Sequence, residues 1–219
     1  EDGIRDKLVT GVQTCALPIL TINNNNAAPV VAVNGFIRSE SSNMNTSGLV
    51  VVKNPQTVNI RFGKSMDKTF DFFFRKKSGT GDLLVSTNGT LSSNRPLPAS
   101  VTNLNFRGND AGNDYFFDRF YFVKADGMTA DVTIGCADDE TTPDPEFTSQ
   151  GMTILAFNNN NWTIAGTSLA GTSGKLGASE NVATWGYFTG AADPDKFLSS
   201  AIDLTGNLID RTVQLVWTE

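Results

Sequence analysis

Apolar and polar residues alternate with a period of two through much of the first 136 residues. Val58-Asn59-Ile60-Arg61-Phe62 and Val101-Thr102-Asn103-Leu104-Asn105-Phe106 are the cleanest runs. Such alternation turns one face of a strand to a core and the other to water. Residues 49–53, 70–74 and 82–87 read as further short strands, separated by turn chemistry such as Asn54-Pro55 and Gly79-Thr80-Gly81. The densest apolar stretch is Asp114-Tyr115-Phe116-Phe117-Asp118-Arg119-Phe120-Tyr121-Phe122-Val123. It is followed by Ala125-Asp126-Gly127-Met128 and another strand-like run over 130–136. An Asp-Gly pair between two apolar runs is a strong hairpin signal. The pattern therefore predicts a long antiparallel hairpin over 114–136 at the centre of a sheet. Asn34-Gly35 and Asn88-Gly89 predict two more hairpin turns. No window before residue 137 carries a helical period.

Residues 137–150 are acidic and Pro-bearing, and read as a linker or long surface loop. After them Ile154-Leu155-Ala156-Phe157, followed by Asn158 to Asn161, echoes Ile19-Leu20-Thr21-Ile22, followed by Asn23 to Asn26. Residues 163–180 are mostly small, a loop or weak strands. Residues 182–188 and 212–217 read as strands, and Asp193-Pro194 as the cap and first turn of one short helix reaching Ile202. The expected fold is all-β, an antiparallel β-sandwich or jelly roll in two modules, 20–136 and 151–219.

Composition narrows the chemistry. The 219 residues contain no His, which removes the commonest general base and the commonest metal ligand. The net charge of -6 disfavours nucleic acid, whose affinity rests on phosphate contacts. The one basic cluster, Arg75-Lys76-Lys77, reads as a solvated edge before a Gly-rich turn. No apolar run reaches the length of a membrane helix, so no membrane insertion is expected. Fifteen Phe against three Tyr and three Trp speak for core more than for a binding surface. Cys136 reads as a small buried apolar residue; a bridge to Cys15 would join distant segments. Paired carboxylates remain the one catalytic option, but the acids cluster in loops, so no enzyme is expected and no catalytic residue or cofactor is assigned.

Three stretches resemble known patterns. Residues 1–19, and above all Gly11-Val12-Gln13-Thr14-Cys15-Ala16-Leu17-Pro18-Ile19, resemble translated sequencing-adapter read-through at the end of a metagenomic contig, which implies a segment foreign to the protein. Gly108-Asn109-Asp110-Ala111-Gly112-Asn113-Asp114-Tyr115-Phe116 resembles one calcium-binding nonapeptide of a repeat-in-toxin β-roll. That resemblance makes Asp110, Asn113 and Asp114 candidate calcium ligands; the other reading is a polar turn before a strand. Over 57–124, the succession of Phe70-Asp71-Phe72-Phe73-Phe74, Asp82-Leu83-Leu84-Val85 and Tyr115-Phe116-Phe117-Asp118 is similar to the strand order of galactose-binding-like jelly rolls. Carbohydrate-binding modules are among these, so the resemblance implies a carbohydrate partner, although no Trp occurs before Trp162 to serve as the family's stacking residue. Separately, Trp162 and Trp185 of the second module are candidate sugar platforms; the other reading is core. The expectation is a non-enzymatic structural or adhesive module at a bacterial cell surface or outside the cell. The alternatives are a carbohydrate-binding module and a virion protein, a tail or decoration subunit that self-associates.

Overall fold

A computed structural model describes residues 19–23, 35–40, 48–106, 109–110, 116–140, 152–168, 176–192, 205–209 and 212–216. The strands before the acidic stretch are β1 (Ile19–Asn23), β2 (Leu49–Lys53), β3 (Thr57–Ser65), β4 (Lys68–Gly79), β5 (Leu83–Gly89), β6 (Asn105–Phe106), β7 (Asn109–Asp110), β8 (Arg119–Lys124) and β9 (Met128–Gly135). A 3-10 turn, Asp138–Glu140, follows. Beyond it come β10 (Met152–Asn158), β11 (Asn161–Ile164), β12 (Thr167–Ser168), β13 (Leu176–Val182) and β14 (Gly186–Ala192). The last two, β15 (Thr205–Ile209) and β16 (Thr212–Val216), pair with each other in a separate two-stranded sheet. The short helix expected from Asp193 and the turn at Asn34-Gly35 lie outside the described residues.

The fold is all-β. Ten strands run edge to edge as β1-β2-β5-β8-β14-β10-β13-β9-β4-β3, in one mixed sheet curled into a half-barrel. Three strand pairings are parallel, β1 with β2, β10 with β13 and β11 with β6, so the wholly antiparallel expectation does not hold. Strands from both sides of 137–150 are neighbours in this sheet, where the acidic, Pro-bearing stretch pointed to a boundary between two modules.

The central hairpin is absent. β8 pairs with β5 and β14, while β9 pairs with β4 and β13, and three strands of the later chain lie between them. The Asp126-Gly127 turn does form, closed by the Met128 N–H on the Ala125 carbonyl at 3.0 Å. Its positive φ falls at Gly127 (76°), the third residue, which is a type II geometry. Hairpins favour the primed turns, whose twist matches paired strands; a type II turn splays them. Here the turn carries the chain across the half-barrel. Its apex is packed against β4, and a Cβ at Gly79 (φ 85°) would lie 1.9 Å from the Gly127 carbonyl oxygen.

Asn88-Gly89 is also not a turn. Both residues are in β5, opposite Phe120 and Arg119. A primed turn occurs instead at Asn159-Asn160, where φ values of 49° and 61° join β10 to β11. The echo between 154–161 and 19–26 therefore carries different structure: β10 leads into an antiparallel hairpin, while β1 pairs in parallel with β2.

The concave face holds the main core. Val50, Ile60, Phe72, Leu83, Val123 and Ile134, from six different strands, meet there and are 0–1% exposed. The inward period of two places Phe70, Phe72 and Phe74 on one side of β4, each worth about 1.5–3 kcal/mol of burial. Tyr121 stands among Phe62, Phe70 and Phe72 at 6.1–6.4 Å between ring centres and donates its hydroxyl to the Gly135 carbonyl at 2.6 Å. On the other face of β8, β10 and β14, a second core forms from Phe116, Phe120, Leu155 and Trp162, covered by Val101, Leu104 and Phe106. Cys136 is buried and unbridged, as a small apolar residue would be.

Candidate functional site

The period of two along β8 puts Arg119 on the same face as Tyr121 and Val123, inside the half-barrel. Its side chain is fully buried. A guanidinium can be held there only if its fork is filled with acceptors. Nε and Nη2 donate to the two oxygens of Glu140 at 2.7 and 2.6 Å, and Nη1 donates to the Thr87 hydroxyl at 2.8 Å. Nη2 also pairs with Glu40 at 2.5 Å, and the Phe70 ring lies 3.9 Å from Cζ.

Each partner arrives from a different part of the chain. Glu140 is the last residue of the 3-10 turn, and one of its oxygens also accepts the Ala137 N–H at 2.9 Å. Lys64 of β3 pairs with the same carboxylate. Ser39, next to Glu40, donates to the Thr87 carbonyl and accepts the Thr87 N–H, at 2.8 and 2.9 Å. Gly89 passes so close that a Cβ there would stand 2.7 Å from Glu140 and 3.1 Å from Arg119. This close approach is why a glycine stands at position 89, in a strand rather than a turn. Two cations, Arg119 and Lys64, face two carboxylates, Glu140 and Glu40. Burial by itself would lower the Arg119 pKa, but the Glu140 and Glu40 carboxylates outweigh it and hold it above its usual value. The cluster clamps residues 39–40, 87–89 and 137–140 to β8. With its donors committed to these acceptors, its chemistry is positional.

A second ion cluster sits on the outer face. Arg75 and Lys77 of β4 both reach the Asp131 carboxylate of β9, at 2.5 and 3.1 Å, and the Asn181 N–H donates to it at 3.3 Å. The basic cluster is thus part of a strand, and two of its members hold an acid in place. Burial pushes Asp131 up, but the hydrogen bonds from Arg75, Lys77 and Asn181 win, and its carboxyl is held below the usual carboxylate range. A folded-state pKa below the unfolded one contributes stability at neutral pH that is lost as pH falls below about 4. Asp131→Asn should therefore be less stable than the parent at neutral pH and flatter on the acid side. Urea midpoints followed from about pH 7 to about pH 2 check this; two parallel curves would remove Asp131 from the account.

Asp110 is the last residue of β7, paired with Asn105, and its side chain, with all of Asn113 and Asp114, lies outside the described residues. Among the described residues, no group of three or more acids or cysteines could hold a metal ion. Trp162 is 1% exposed, packed against Phe116, Phe120 and Phe157 at 5.2–5.7 Å, and donates its ring N–H to the Asn103 carbonyl at 3.0 Å. Trp185 is half-buried against Phe74 and Phe188, and donates to the Met128 carbonyl at 3.2 Å. The two rings belong to different cores and form no joint platform. Sequence reasoning missed Arg119 and Glu140. The signal was present: an Arg inside the densest aromatic run has either to be exposed or to find a buried acid. Among the described residues no helix is long and apolar enough to cross a membrane.

No family model matches the chain, and neither a curated protein nor a solved structure is similar to it.

Proposed function

We propose that this chain is a non-enzymatic structural or adhesive module that works at a bacterial cell surface or outside the cell. The observation that carries the reading is how its polar interior is used. Arg119, Glu140, Glu40 and Lys64 neutralise one another inside the fold, and Arg75 and Lys77 close on Asp131. These groups fasten strands and loops together. The aromatic residues serve the same end, with Trp162 and seven Phe among the largest fully buried side chains. The second core over the outer face of β8, β10 and β14 supports a sandwich-like layering. Richness in Asn, Ser, Thr and Gly suits a surface role outside the cell.

The test is retention under flow. Beads carrying the chain should adhere to protein-coated or cell-coated surfaces and show no dependence on any one glycan. Saturable binding to a defined glycan, lost in Trp185→Ala, would replace this reading with a carbohydrate-binding module. Beads that adhere to nothing would overturn both.

A further inference from the structure

β1 is attached differently from the other strands of the large sheet. It pairs with β2 in full parallel register, Ile19 with Leu49 through Asn23 with Lys53. Its side chains hardly enter the core: the burial pattern is exposed at four of its five positions, with Ile19 62% and Leu20 47% exposed, and only Ile22 leaning on the main core. The backbone ladder therefore supplies most of what holds it. A groove of about 190 Å³ lies beside it, between Ile19, Leu20, Ile37, Ser39, Leu49 and Val50. β2 differs, with Val50 and Val52 at 1% and 0% exposure. Its backbone edge needs a strand beside it.

We infer that the slot along β2 accepts β1 from a second copy of this chain, so that copies are joined by exchange of this strand. The occupant is defined by the pairing already seen: β1 of any copy presents the same backbone ladder and the same Ile22 to the same slot. Exchange remakes every contact in trans, so its balance is set by concentration and by the reach of the connection. Residues 24–34 separate β1 from the next described segment, and eleven residues span at most roughly 36–40 Å, enough to enter a neighbouring molecule. Four of the five β1 residues, 20–23, lie beyond the stretch that resembles adapter read-through. The inference deepens the structural-module reading and rests on it: copies joined in this way give a surface protein its cohesion.

The test uses the full chain with Cys15→Ser and Cys136→Ala, and with Thr21→Cys and Val51→Cys. These two positions are directly opposite in the β1–β2 register and face away from the main core. A tagged and an untagged form are unfolded together, refolded at low and at high concentration, and oxidised. Exchange predicts disulfide-linked tagged–untagged pairs whose share rises several-fold with concentration. Intrachain disulfides alone at every concentration overturn it. Should the cysteine variant fail to fold, the parent chain refolded at high concentration is sized by light scattering; a monomer overturns the proposal and a dimer or longer species supports it. Bead retention with no exchange overturns this inference alone, and exchange with no retention overturns the adhesive reading alone.

Discussion

Arg119→Ala should lower the unfolding free energy by about 3–5 kcal/mol, the usual cost of breaking a buried ion pair by removing one partner. Glu140 has a side-chain exposure of 1% and loses both of its guanidinium hydrogen bonds. Lys64, 28% exposed, is left as its remaining cation. The Thr87 hydroxyl loses its donor as well. Against a typical total of about 5–15 kcal/mol, such a loss moves a large share of the population to the unfolded state. Equilibrium urea unfolding reads it directly. The double variant Arg119→Met with Glu140→Leu separates burial from pairing. Replacing both charges with apolar residues of similar volume should recover most of the loss. Glu40→Gln should cost less, since it keeps the side chain's shape and leaves the Arg119–Glu140 pair in place. A loss below about 1 kcal/mol for Arg119→Ala would mean the cluster is no clamp.

Trp162→Ala should cost a similar amount, about 3–5 kcal/mol, by opening a cavity in the second core. Three aromatic rings lean on the indole, and Phe106 of β6 is its direct partner across a parallel bridge. Trp162→Phe keeps most of the volume and removes the donor to the Asn103 carbonyl, so it should cost about 1–3 kcal/mol. Both are measured by urea unfolding with far-ultraviolet circular dichroism, because the substitution removes a fluorophore. A Trp162→Ala variant as stable as the parent would show that residues 97–106 lie loosely on the sheet.

The all-β character was legible because alternation reports burial on one face, and the strands at 49–53 and 57–65 follow it closely. Turn residues reported local shape but not pairing. Asp126-Gly127 makes a turn, yet which strands become neighbours depends on where β10, β13 and β14 insert, and nothing in 114–136 encodes that. Asn88-Gly89 shows the complementary failure, since its glycine answers to the steric demand of Glu140, far along the chain. Residues 101–106 read as one strand, but 101–104 are a loop in which Val101 and Leu104, three residues apart, are buried; the apolar residues reported burial, not backbone. Glu140 sits in a run whose acidity read as solvation, and only its distance to Arg119 distinguishes it from Asp139, which pairs with Lys68 near the surface.

The insertion of three late strands between β8 and β9 constrains the order of assembly during synthesis. While the ribosome has delivered only residues up to about 140, the emerging polypeptide can pair β2-β5-β8 and, separately, β9-β4-β3. Each half ends in an open edge, at β8 and at β9, rich in aromatic and branched side chains. Those edges are joined only when β14, β10 and β13 have been made, some fifty residues later. Contacts of such long sequence separation form slowly, so the nascent chain carries two unsatisfied edges through that interval. Slower translation of residues 141–192 would lengthen the exposure and the opportunity for capture by a chaperone or by another nascent copy.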